Sequence, residues 1–220
     1  MKPWNVYFFE CFEMKSLICI FLTATTFCLT VNGADAEEKV SAAIFYGKLT
    51  DTDFVRIPFR SPDLESVHMI GISLRKELME LNRVAEFIPN GFFLDAEGVL
   101  AAKWGQLGDI DQNFQEAAAS VNVRYDFPEQ LPAVNSISFG NGLSLTSTKS
   151  EFEEELTISN GTNPLLWYMM LELDFDLPGT DQWKALCRIH HRSGIYGIFD
   201  NVDGGSNYIT MGLRYHFRWD

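Results

Sequence analysis

The stretch Cys187-Arg-Ile-His-His-Arg-Ser-Gly-Ile-Tyr-Gly-Ile-Phe-Asp-Asn-Val-Asp-Gly-Gly-Ser-Asn-Tyr-Ile-Thr-Met-Gly-Leu-Arg-Tyr-His-Phe217 decides how the rest of the chain is read. It has the form of one long β-hairpin. A first strand runs from Trp183 to Ser193, a Gly-rich loop occupies residues 194–205, and a second strand runs from Ser206 to Phe217. Successive side chains of a strand face opposite sides. Trp183, Ala185, Cys187, Ile189, His191 and Ser193 therefore share one face, against Lys184, Leu186, Arg188, His190 and Arg192 on the other. In the returning strand Asn207, Ile209, Met211, Leu213, Tyr215 and Phe217 share a face, opposite Ser206, Tyr208, Thr210, Gly212, Arg214 and His216.

Strands of about ten residues, apolar on one side and polar on the other, are the pattern of a barrel crossing an outer membrane. With the apolar faces turned to lipid, His191, Ser193 and Asn207 come together on the lipid side near the loop end of the hairpin. A hydroxyl and an imidazole at a bilayer surface point to chemistry on a lipid.

The same alternation recurs N-terminal to the hairpin, over residues 40–49, 66–78, 92–105, 115–125, 135–148 and 165–177. This predicts an all-β, eight-stranded antiparallel up-and-down transmembrane barrel, an even count of the kind single-chain bacterial barrels have. Ala117, Ala119, Val121, Val123 and Tyr125 read outward, with Glu116, Ser120, Asn122 and Arg124 inward. Ser136, Ser138, Gly140, Gly142, Ser144 and Thr146 form a row of small residues suited to a narrow interior. Glu172 and Asp174 are expected to pair across the interior with Arg188 and Lys184. For Val67, Met69, Gly71, Ser73 and Arg75, alternating with His68, Ile70, Ile72, Leu74 and Lys76, the pattern leaves open which set meets lipid.

Residues 109–113 read as a turn, which is expected, with Pro178-Gly179, at the periplasmic end. Residues 149–163, with Glu151, Glu153, Glu154 and Glu155, read as a solvated acidic extracellular loop, or as a site for divalent cations bridging to lipopolysaccharide phosphates. Trp167, Trp183 and Trp219 read as interface-belt aromatics.

Residues 14–36 have the form of a secretory signal peptide, with Lys15, an apolar core over 17–31 and an Ala34-Asp-Ala36 cleavage motif. This divides the chain into an N-terminal extension and leader over 1–36 and a barrel over 37–220, with Met1 or Met14 as the start. Cys11, Cys19 and Cys28 fall in or before the leader, so Cys187 alone remains and reads as a small apolar wall residue. No Cys/His cluster has zinc spacing, and the sequence implies no metal or other cofactor. A net charge of −13 argues against a general nucleic-acid binder. Eighteen Phe, seven Tyr and five Trp, with no apolar run of about twenty residues after the leader, favour strands over membrane helices. An eight-stranded barrel is too narrow for a general porin.

His191-Arg192-Ser193 on a penultimate strand, the Gly/Asn-containing loop and the aromatic last strand resemble the lipid A 3-O-deacylase family. The string His190-His-Arg-Ser-Gly194 with Gly204-Gly-Ser-Asn207 resembles a proteobacterial branch of such barrels. The resemblance implies an eight-stranded outer-membrane barrel of a Gram-negative bacterium, with a catalytic His and Ser on the outside of its wall and lipid A or lipopolysaccharide as partner. It implies Ser193 as nucleophile and His191 as base, since a serine hydroxyl needs an adjacent base to attack an ester. In that family a Glu early in the last strand orients the imidazole. Gly205, Ser206 or Asn207 occupies that place here, and Asn207 is the residue able to hold the ring. Asp200 or Asp203 could substitute from the loop, and amides near Gly194 and Gly197 are candidate oxyanion donors. The competing reading is a non-catalytic structural or interaction barrel, with His190 and His191 merely interfacial and Arg192 on lipid phosphate. The sequence leaves a homodimer open.

Overall fold

The structure, a computed structural model, describes residues 39–128, 133–155, 162–195, 202 and 204–217. The proposed leader and Trp219 lie outside the described residues. Eight strands follow in order: β1 (Val40–Thr50), β2 (Leu64–Glu80), β3 (Phe92–Leu107), β4 (Ile110–Asp126), β5 (Val134–Thr146), β6 (Leu165–Asp176), β7 (Trp183–Ser193) and β8 (Gly205–His216). Each pairs antiparallel with the next, and β8 closes onto β1 with Ser41 opposite His216 and Thr50 opposite Asn207. Closure gives each strand a hydrogen-bonded neighbour on both sides and leaves no open sheet edge. In hydrocarbon both are required, because water is absent to satisfy orphaned groups.

Side-chain alternation is kept round the whole wall. Ile44, Ile72, Val121, Phe139, Leu143, Met211 and Leu213 are exposed on the outside, an apolar band that only lipid can cover. The open question of β2 is answered by burial: Val67, Met69, Ser73 and Arg75 point inward, and Ile70 and Ile72 outward.

The interior is polar and ionic. Glu172 accepts from Arg75 Nη2 at 2.6 Å, Arg188 Nε at 2.7 Å and Arg214 Nη2 at 2.6 Å. Glu97 accepts from Arg188 Nη2 at 2.7 Å and from Arg75 Nη2 at 3.2 Å. Asp174 faces Arg214 at 3.3 Å. Three guanidiniums thus meet three carboxylates, as groups taken out of water require. The small row on β5 is what makes room for them. Ser138 accepts from Arg75, Ser144 donates to Glu116 at 2.6 Å, and a Cβ at Gly140 would come within 2.2 Å of Asn122 Oδ1. Gly71 is needed for a similar reason, since the Phe45 ring lies where its Cβ would be and Arg188 stacks on that ring at 4.7 Å.

Four expectations are corrected. Lys184 pairs with Asp176, while Asp174 is taken by Arg214. The turn between β3 and β4 is only residues 108–109, because β4 begins at Ile110. In an up-and-down barrel that turn falls at the same end as 147–164 and 194–204, and opposite to 177–182. The acidic stretch is not wholly a solvated loop. Glu151–Glu155 forms a short helix, α1, that closes the barrel mouth, with Phe152 and Glu153 buried. Phe152 packs on Phe114, and Glu153 faces Arg192 at 3.4 Å. The apolar Phe152 draws the segment into the mouth, and the buried guanidinium gives the carboxylate a reason to follow.

Candidate functional site

The register of the closing hairpin builds the site. On the exterior face of β7 and β8, His191 stands opposite Asn207, and Ser193 opposite Gly205. On the other side of β7, His191 faces Met169 and Ser193 faces Trp167. All three residues read from the sequence therefore lie on one patch of outer wall, at the end carrying residues 51–63, 147–164 and 194–204.

His191 Nδ1 lies 2.6 Å from Asn207 Oδ1. The Asn207 amide nitrogen donates to the Thr52 carbonyl at 3.0 Å. A carbonyl only accepts, so the amide cannot be turned over, and its oxygen must face the imidazole. The ring must then donate from Nδ1–H, which leaves the Nε2 lone pair for a proton acceptor's role. Of the three residues considered for the orienting place, only Asn207 fills it. Ser206 points inward and donates to Glu153 at 2.9 Å. Gly205 has no room for a side chain, since a Cβ there would lie 2.9 Å from Ser193 Cβ and 2.0 Å from the Arg192 carbonyl. The same glycine leaves the wall beside the Ser193 hydroxyl uncovered.

The Ser193 hydroxyl and His191 are not joined by a direct hydrogen bond among the described residues. They sit two residues apart on one face, and such pairs are commonly loose until substrate is bound. The Gly194 amide donates to the Gly204 carbonyl at 2.9 Å, which removes it as an oxyanion donor. Gly197, Asp200 and Asp203 lie outside the described residues.

For His190 and Arg192 the alternation holds and the competing interfacial reading is corrected. Both face the interior and are fully buried rather than meeting lipid. His190 Nε2 donates to Glu116 Oε1 at 3.0 Å, and Tyr168 packs on the ring at 4.8 Å. Arg192 donates from Nη2 to the carbonyls of Asn163 and Pro164, each at 3.0 Å. Among the described residues no group of three or more His, Cys, Asp or Glu is placed to hold a metal.

Two partners of the site escape the sequence reading. Residues 51–63 fold back over the outer wall. Besides Thr52, they bring the Phe54 ring to 5.1 Å from the His191 ring. Thr52 and Asn207 are 155 residues apart, beyond the reach of any local pattern. A Phe next to a Val in a polar, Pro-containing loop is the one local hint.

Solved structures with similar folds include the outer membrane enzyme PagL, at TM-score 0.50 and 14% identity over 80% of this chain and 97% of that one. Neisserial surface protein A aligns at TM-score 0.43 and 11% identity, over 83% of this chain and 98% of that one. Ail of Yersinia pestis, in a phospholipid bilayer nanodisc, aligns at TM-score 0.40 and 13% identity, over 80% of this chain and 99% of that one. No family model and no curated protein matches the chain. The likeness to PagL, with the apolar band and closed sheet, defines the class: a small transmembrane β-barrel of the outer-membrane type.

Proposed function

We propose that this chain is an outer-membrane lipid esterase of the lipid A deacylase kind, with its site on the lipid-facing side of the wall. Ser193 attacks an acyl ester carbonyl. His191 takes the hydroxyl proton at Nε2 and returns it to the leaving sugar oxygen, which leaves an acyl ester on Ser193. A water deprotonated by the same nitrogen then cleaves that ester, releasing the fatty acid and restoring the serine, while Asn207 fixes the tautomer through Nδ1–H. The observation that carries the reading is the Thr52–Asn207–His191 chain of hydrogen bonds on the outer face of the wall. An amide in place of a carboxylate orients the ring without neutralising the imidazolium that forms, and so predicts a slow enzyme. The lipid A substrate class rests on the resemblance of the His191-Arg192-Ser193 hairpin and on the similarity of the fold to PagL.

The test is mass spectrometry of lipid A from Gram-negative cells expressing the protein. Wild type is expected to remove one ester-linked acyl chain, and Ser193→Ala to leave the lipid intact, with a rate lower by roughly three orders of magnitude or more. Identical acylation in both would exclude the esterase and leave a non-catalytic barrel. The Phe54 ring over the imidazole is the feature that favours that second reading.

A further inference from the structure

Residues 51–63 present an unusual surface. Val55 and Phe59 are 75% and 87% exposed. Between them Ile57 is buried and Pro58 stiffens a single 3₁₀ turn, Ile57–Phe59, so the two exposed side chains are held rather than loose. Arg56 and Arg60 lie beside them, both exposed. Asp51, Asp53 and Asp63 flank the turn, and Asp53 lies 3.4 Å from Arg56 at a site open to solvent, where such a pair is weak and easily exchanged. The loop is anchored at its start. Through Thr52 and Phe54 it is fastened to the outer wall at the level of His191 and Asn207, continuous with the apolar band below.

We infer that residues 51–63 are a lipid-docking lid for the site: Val55 and Phe59 enter the leaflet, and Arg56 and Arg60 engage the phosphate of an acylated, phosphorylated glycolipid. Two large apolar side chains at a rim gain by leaving water for the acyl boundary. A guanidinium next to them sits at headgroup depth, where its planar fork suits a phosphate. The same loop carries the carbonyl that holds Asn207 and the ring that covers His191. Lipid docked at the loop is then held beside an imidazole that is already oriented, so the hydrolysis proposed above should be faster on a bilayer substrate than on a soluble ester. The docking itself stands without that hydrolysis, and the substrate it would deliver rests on it.

Two measurements decide it. A photoreactive benzophenone side chain is placed at position 59 in the full chain and irradiated in intact outer membranes, with the same group at Met211, in the exposed band, as a lipid-facing control. Position 59 is expected to yield a covalent adduct with a phosphorylated glycolipid. Adducts with protein alone, with glycerophospholipid alone, or no adduct while position 211 labels lipid would overturn the docking. Separately, Val55→Ser/Phe59→Ser and Arg56→Gln/Arg60→Gln are assayed on bilayer glycolipid and on a water-soluble short-chain ester. Each is expected to lower kcat/KM on the bilayer substrate at least tenfold, mostly through KM, and to leave the soluble ester unchanged. Equal losses on both substrates, or no loss on either, would overturn the lid's role. If wild type hydrolyses neither substrate, the esterase reading fails while the adduct still decides the docking.

Discussion

In the proposed mechanism Asn207 is the residue on which the chemistry turns. Its oxygen receives the His191 Nδ1–H, and its nitrogen is held by Thr52. Asn207→Ala removes the fixed tautomer and is expected to cost about 1–3 kcal/mol of transition-state stabilisation, a fall of about ten- to a hundredfold in kcat at little change in KM. Asn207→Asp replaces the amide with a carboxylate that stabilises the imidazolium formed during attack. Its kcat at neutral pH should exceed that of Asn207→Ala, although the carboxylate oxygen that replaces the amide nitrogen gives up the bond to the Thr52 carbonyl. Steady-state kinetics on the two variants checks both. A carboxylate variant slower than the alanine variant would show that His191 is not the base.

Among the elements, α1 is the one whose place was hardest to foresee. A run of glutamates reads as a solvated surface, but Glu153 accepts from Thr162 at 2.7 Å and from Ser206 at 2.9 Å while facing Arg192. Removing one partner of a buried pair typically costs about 3–5 kcal/mol, because the other charge is left behind. Glu153→Ala should therefore release the segment from the mouth while the wall stays closed. Limited proteolysis between residues 147 and 164 is expected to speed up about a hundredfold or more. The folded barrel's slower gel migration on heating should be unchanged. The β3–β4 hairpin shares in this anchoring, since Gln112 donates to the Lys149 carbonyl at 2.6 Å and accepts from the Glu151 amide at 2.9 Å. That is the structural use of a hairpin longer than the spacing of apolar residues suggests.

For the whole molecule, the bilayer and the ionic interior set opposite demands on alternate residues of every strand. Leu171 stands midway along β6 on the outer face, and Glu172 beside it on the inner face. Leu171→Arg places a charge in hydrocarbon and should lower folding stability in bilayers by about 2–4 kcal/mol, read from urea titration of the reconstituted barrel. Glu172→Gln removes the carboxylate shared by Arg75, Arg188 and Arg214 and should cost at least as much, by leaving the guanidiniums underpaired. A Leu171→Arg variant as stable as wild type would show that this face does not meet lipid.

The two-residue period along each strand determined, from the sequence alone, the number of strands, their order, the inward and outward faces of strands other than β2, and the shared patch of His191, Ser193 and Asn207. Alternation is local, and a membrane barrel must obey it at every position because one face meets lipid and the other does not. What only the tertiary structure decided was which interior charges pair, where Glu153 goes, and that Thr52 and Phe54 reach the site. Those depend on the stagger with which the sheet closes and on how connecting loops fold back, both set by contacts between residues far apart in the chain. Asn207 was legible as a neighbour of His191, but the carbonyl that orients it came from the opposite end of the barrel sequence.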